Sequence, residues 1–102
     1  MIVSGGENIY SAEVERALAA HPSVQSVAVV GGPDQKWGER VVAFVVTYPD
    51  KPVDVPDLVT HCRGLIAGYK VPKEIHLMTA LPQTASGKVQ KEALRKQLEG
   101  MS

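Results

Sequence analysis

Residues 84–91 read TASGKVQK: a lysine directly follows four small residues, the last of them glycine, and a basic helical stretch begins just beyond. Such a group can deliver a compact, strongly hydrated positive charge on a long stem, while the small residues let a partner approach the backbone closely. A phosphate-cradling P-loop would need a glycine five positions before Gly-Lys and a Ser or Thr after it. Pro82 and Val89 stand there instead, so that chemistry is excluded. Two readings remain for Lys88: a solvated loop cation ahead of a helix whose exposed face is Lys91, Arg95 and Lys96, or a charge carried into a cleft on another body.

Three further stretches could meet a ligand. The SGGEN segment holds Gly5, Gly6 and Glu7, where the glycines either serve a turn or leave room for a slender group beside the backbone. Trp37 lies in the polar PDQKWGER, as a cover on the core edge or as a plate for a flat ligand. In GYKVPK, Tyr69, Lys70 and Lys73 share one connection that could meet a phosphate or simply turn in solvent. His21, His61, His76 and the single Cys62 show no ligand spacing, so no metal site is expected and each reads as an ordinary surface or core residue.

The totals narrow the class. At 102 residues, 44% hydrophobic and 22% charged, the chain suits one globular domain. Eleven basic and eleven acidic side chains cancel, so a nucleic-acid partner is not expected and any anion site must be local. The apolar runs VAVVGG and VVAFVV fall far short of the ~20 residues that span a bilayer, and no signal peptide opens the chain, so no transmembrane segment and a cytoplasmic location are expected. One cysteine excludes an internal disulfide and fits a reducing compartment.

The elements that must hold these residues follow from periodicity. Met1 to Val3 is apolar and SGGEN is read as a loop; Ser11 is expected to cap a helix from about residue 12 to 20, with Val14, Ala17 and Leu18 as its apolar stripe. Val24 to Val30 and Val41 to Thr47 predict two antiparallel strands joined by a long connection. Because their apolar runs are continuous, both faces of the sheet should be covered. Asp54 caps a second helix to about Ile66 with Leu58, Val59, Cys62, Leu65 and Ile66 inward, and Gly68 stops it. EIHLM, residues 74–78, is a short third strand, and a last helix covers about residues 90–98 with Ala93, Leu94 and Leu98 apolar. The fold class is α+β, a sheet of about three strands packed with helices.

MIVSGGENIYSAEVE, WGERVVAFVV, GYKVPKEIHL and LPQTASGKVQKEALRK, taken together and in this order, resemble the C-terminal domain of the AMP-forming adenylating enzymes: acyl-CoA synthetases, peptide-synthetase adenylation domains and luciferases. The resemblance covers essentially the whole chain and is nearest to the fatty-acid-CoA ligases. It implies a lid on a large N-terminal domain that rotates between two steps. In the first, a carboxylic (fatty) acid and magnesium-dependent ATP give acyl-adenylate and pyrophosphate; in the second, CoA displaces AMP. ATP and CoA are then co-substrates of the full enzyme, neither bound by this domain alone. Lys88 matches the lysine that enters the cleft for adenylation, with Ser86 and Gly87 beside the nucleotide. Gly5, Gly6 and Glu7 match the loop bordering the pantetheine arm, and Trp37, Tyr69, Lys70 and Lys73 match positions near CoA.

The departures are equally specific. Nothing corresponds to the N-terminal ATP loop or acyl pocket, the hinge residue would precede Met1, and Ser11 stands where a proline is usual. A fragment inactive by itself is the expectation. The alternatives are a stand-alone non-catalytic binding module, or the lid of a carrier-protein adenylation domain.

Overall fold

The computed structural model describes residues 1–101. Its elements run β1 (Ile2–Ser4), β2 (Glu7–Ile9), α1 (Ser11–Ala19), β3 (Val24–Asp34), β4 (Gly38–Thr47), α2 (Val55–Arg63), a 3₁₀ turn at Gly68–Lys70, β5 (Glu74–Met78) and α3 (Lys91–Met101). The α+β class stands, but the sheet has five strands rather than about three. The two added strands, β1 and β2, form a hairpin across Gly5 and Gly6, with Ser4 opposite Glu7 and Ile2 opposite Ile9. Three-residue strands are too short to display an alternating pattern, and SGGEN therefore reads as loop.

β4 is the centre of the sheet. One edge pairs antiparallel with β3 along its whole length, from Val24 opposite Thr47 to Asp34 opposite Gly38. The expected long connection is instead a three-residue turn, because β3 continues through Gly31, Gly32 and Pro33, residues whose low strand propensity is overridden by pairing. The other edge of β4 is shared. Its first residue, Gly38, pairs with Ser4 of β1, and residues 42–46 pair in parallel with β5. A parallel pair needs a long crossover, which α2 supplies.

The continuous valine runs are buried on both sides. Val29, Val41, Ala43 and Val45 pack with Val14, Ala17 and Leu18 of α1 and with Leu58 and Cys62 of α2. Val30, Val42, Phe44 and Val46 point the other way and meet Leu94 and Leu98 of α3. Each fully buried Val or Leu contributes roughly 1.5–3 kcal/mol, so the two clusters together specify which side each helix takes.

Helix ends differ from expectation in three places. Ser11 is the first residue of α1 and not its cap; extended Tyr10 precedes it with no side-chain cap bond, and the Ser11 Oγ accepts from Lys91 Nζ at 3.4 Å. Asp54 does cap α2, its Oδ1 accepting from Asp57 N at 3.0 Å. That helix stops at Arg63 with Gly64 as its C-cap, so Gly68 does not end it, and Leu65 lies exposed. α3 begins at Lys91, one residue later than expected, and continues past Leu98.

Candidate functional site

Two surfaces carry the candidate residues, and they draw on different parts of the chain. The first is built at the shared edge of β4. Gly5 and Gly6 have φ of +59° and +82°, the signature of a type I′ turn, which only residues without a Cβ adopt readily. Gly5 N donates to Trp37 O at 2.8 Å, seating the β1–β2 hairpin against the turn between β3 and β4. That turn is shaped by Asp34, whose Oδ1 accepts from both Lys36 N and Trp37 N at 2.9 Å. The hydrogen bond from Trp37 is the main reason the Asp34 carboxyl titrates below its ordinary value, with Lys36 N, Arg40 and Lys73 adding to it.

The indole of Trp37 lies directly over Gly5: a Cβ there would come within 2.8 Å of the ring. Trp37 is 40% exposed and belongs to neither core cluster; the ring covers the Gly5 turn and leaves part of its surface open. Lys36 Nζ and Lys73 Nζ sit 4.9 and 5.2 Å from the ring centre, where the π face attracts cations. Lys73 is held by its own backbone, its N–H donating to Val41 O at 2.9 Å in the gap between β1 and β5. The result is a cavity of about 160 Å³ lined by Ser4, Gly5, Glu7, Trp37, Tyr69 and Lys73.

Three stretches far apart in sequence thus converge on one small site. Gly6 stands at the exposed hairpin tip beside it. Lys70 does not join: its Nζ is 2.8 Å from Glu13 Oε1 on α1, and this hydrogen bond is the first cause of its raised pKa. An aromatic plate with flanking ammonium groups and a side-chain-free wall suits a flat group attached to anions and a narrow arm.

The second surface is a closed hairpin, not a loose tip. Gln83 bridges Val89, Thr84 N donates to Lys88 O at 2.8 Å, Gly87 N to Thr84 O at 2.9 Å, and Gln90 N to Pro82 O at 2.8 Å. The Thr84 hydroxyl accepts from Lys88 N at 3.2 Å and lies 2.9 Å from the Ser86 Oγ. Gly87, at φ +89°, makes the sharp reversal. Lys88 is exposed beside an open hollow of about 470 Å³ that Thr84, Gln90 and Lys96 help to line.

Two cations of α3 are engaged. Lys91 pairs with Glu15 at 3.0 Å and Arg95 lies 3.5 Å from Glu92, while Lys96 shares the hollow with Lys88. Among the described residues the Lys88 ammonium has no carboxylate partner, which leaves its charge available to an incoming anion. Lys91 also anchors the start of α3: Glu15 Oε2 accepts from Val29 N at 2.9 Å while holding the lysine.

The cysteine, the histidines and Glu74 engage other parts of the fold. The Cys62 thiol is buried and pushed up by desolvation. His21 accepts from Ser23 N at 3.0 Å, and His61 Nε2 lies 2.7 Å from Ala17 O. Burial pushes the Glu74 carboxyl up, but hydrogen bonds from His76 and Arg40 outweigh it and leave the group lowered. Among the described residues no cluster of three or more His, Cys, Asp or Glu could hold a metal ion. The sequence places Glu13 and Glu15 near the N-terminal end of a helix, but nothing in it pairs them with Lys70 and Lys91.

A five-stranded α+β domain of this topology is the C-terminal fold of acyl-CoA synthetases. The chain belongs to the AMP-binding enzyme C-terminal domain family, whose sequence pattern matches residues 13–88. It is 45% identical over 95 residues to a 2-succinylbenzoate–CoA ligase of Listeria monocytogenes, covering 93% of this chain and 20% of that protein. It is 48% identical over 95 residues to an indoleacetate–CoA ligase of Aromatoleum aromaticum, covering 93% of this chain and 19% of that one. Among solved structures, a fatty acyl CoA synthetase of Mycobacterium tuberculosis superposes with a TM-score of 0.93 at 42% identity, covering 99% of this chain and 20% of that chain. The chain therefore spans about a fifth of the length of the relatives it matches.

Proposed function

We propose that this domain, residues 1–102, is the mobile C-terminal lid of an AMP-forming acyl-CoA ligase. Its partner is a large N-terminal domain of the same protein, which carries the ATP loop and the acyl pocket and joins through a hinge residue preceding Met1. The span of about a fifth of each relative supports this division. The full enzyme converts a carboxylic acid, fatty acids included, and magnesium-bound ATP to acyl-adenylate and pyrophosphate, then transfers the acyl group to CoA. The magnesium arrives with the nucleotide, and this domain by itself holds neither co-substrate. A cytoplasmic location belongs to the same proposal; among the described residues no helix is long and apolar enough to cross a membrane.

The observation that carries this reading is the exposed, unpaired Lys88 on a hydrogen-bonded hairpin, on a surface that shares no lining residue with the Trp37 cavity. Carboxylate and ATP are both anions and repel each other. A cation directed at both holds them within reach and stabilises the charge spread over the transferring phosphorus, an effect worth about 3–4 kcal/mol for one positioned donor. Ser86 and Gly87 let the nucleotide approach the hairpin backbone. On the other surface Gly5 and Gly6 give the thiol arm a narrow path, Glu7 borders it, and Trp37, Tyr69 and Lys73 receive the nucleotide end of CoA. Lys70 acts there by holding its turn to α1. The relatives named above are all CoA ligases, which supports free CoA over a carrier protein as the acceptor.

The test is a half-reaction measurement on the intact enzyme. Lys88→Ala lowers acyl-adenylate formation by roughly a hundredfold or more, while thioester formation from supplied acyl-adenylate survives. Equal damage to both half-reactions eliminates the two-surface mechanism.

A further inference from the structure

The β1–β2 hairpin forms one wall of the Trp37 cavity; Ile2 and Ile9 anchor its base in the core, but its backbone pairing to the sheet is short. Each of its strands has three residues, and an isolated two-stranded hairpin is marginal in water. Only one residue pair joins it to β4, Ser4 with Gly38, and one further backbone bond runs from Gly5 N to Trp37 O. The next ladder position is filled by a side chain. Val3 N donates to Glu39 Oε1 at 2.9 Å, so a carboxylate completes the seam where backbone pairing has ended.

The space for that carboxylate is supplied from a third strand. Gly31 of β3 lies beside Glu39, and a Cβ on Gly31 would stand 2.4 Å from Glu39 Oε2 and 3.0 Å from its Cδ. Gly31 has no positive φ, so backbone conformation does not require a glycine there. The room it leaves is what lets the carboxylate lie flat against the sheet and reach Val3.

From this seam we infer that Glu39 is a positioning residue for the thiol-transfer step. By holding Val3 it sets the Gly5–Gly6 turn against the Trp37 ring and so keeps the width of the passage. It touches neither CoA nor the reacting atoms. The inference rests on the ligase reading and adds a residue, with its supporting glycine, to the thiol surface of that reading.

Three variants of the intact enzyme test it. Glu39→Ala removes the acceptor. Gly31→Ala keeps Glu39 but expels its carboxylate, at little cost to folding because the displaced atoms end a flexible side chain. Glu39→Gln retains an acceptor oxygen of the same reach. Glu39→Ala and Gly31→Ala each raise the KM for CoA about tenfold, while acyl-adenylate formation stays within about twofold and Glu39→Gln stays near wild type. The double variant is no worse than Glu39→Ala, since no carboxylate remains to be expelled. Deuterium exchange of residues 1–9 quickens in both Ala variants.

An unchanged KM for CoA in both Ala variants overturns the inference while leaving the ligase reading intact. So does equal loss in both half-reactions, which marks general destabilisation, or a Glu39→Gln enzyme as impaired as Glu39→Ala. A wild-type enzyme that forms no CoA thioester at all overturns the ligase reading itself, and the inference with it.

Discussion

Gly5 and Gly6 are adjacent, both adopt positive φ, and only one of them carries an indole against its α-carbon. Replacing each with alanine separates backbone strain from steric contact. An alanine in the left-handed region costs about 1–2 kcal/mol, and Gly6→Ala incurs this alone because nothing lies within 4 Å of where its methyl would stand. Gly5→Ala, at a φ of +59° nearer the ordinary left-handed well than the +82° of Gly6, incurs no more strain than that, but it brings its methyl to 2.8 Å from Trp37 Cε3. Ordinary carbon contact is about 3.5 Å, so the ring must retreat by roughly 0.7 Å. Overpacking in a sealed core costs about 1–3 kcal/mol; a half-exposed ring can tilt, which puts the extra term near 1 kcal/mol. That extra term lowers the melting temperature by about 4–8 °C more when Gly5→Ala is made in the wild type than when it is made in a Trp37→Ala background. Thermal unfolding of the 102-residue chain measures this, and its single tryptophan reports the ring directly by fluorescence. Gly6→Ala, with nothing near its methyl, costs the same in both backgrounds. A Gly5→Ala penalty that is the same with and without the indole refutes the idea that Trp37 rests on the glycine turn.

Lys73 and Lys70 should part company despite their closeness in sequence. Lys73→Met raises the KM for CoA by about threefold to tenfold and weakens its salt dependence, since the ammonium beside Trp37 is lost; Lys70→Met leaves that KM within about twofold and lowers thermal stability slightly, because its partner is Glu13. The acid limb of stability should depend on Asp34 and Glu74, whose folded pKa values lie below their ordinary 3.8 and 4.5. Lowered carboxyl values mean that these contributions are complete above the ordinary values and drain away as pH falls through the folded ones. Acid titration followed by circular dichroism should therefore show a shallower loss in Glu74→Gln than in wild type; an unchanged slope removes Glu74 from the account.

What the residues disclosed by themselves was whatever repeats over a short range. The stripes of α1, the Asp54 cap and the double-sided burial of VVAFVV all follow from local periodicity and capping chemistry, and the structure has them. At Lys88 the residues alone excluded a P-loop and left a solvated loop cation or a delivered charge, and only the resemblance of the whole chain to adenylating enzymes chose between them.

Other features depended on chain segments that meet only in the folded state. Nothing local in SGGEN says that its flanks pair as strands, because each flank is three residues long and gains its stability from β4. Lys70 and Lys73 are indistinguishable in GYKVPK; Glu13, 57 positions away, holds the first, and the Trp37 ring lies beside the second. Glu39 looks like one more surface carboxylate until Gly31 opens space for it and Val3 presents an unpaired N–H. Periodicity along the chain selects helices, strands and inward faces, since those depend on neighbours a few residues away. Which cation is tethered, which is left available and which glycine makes room depend on register between distant strands, and that is decided by packing the whole sheet at once.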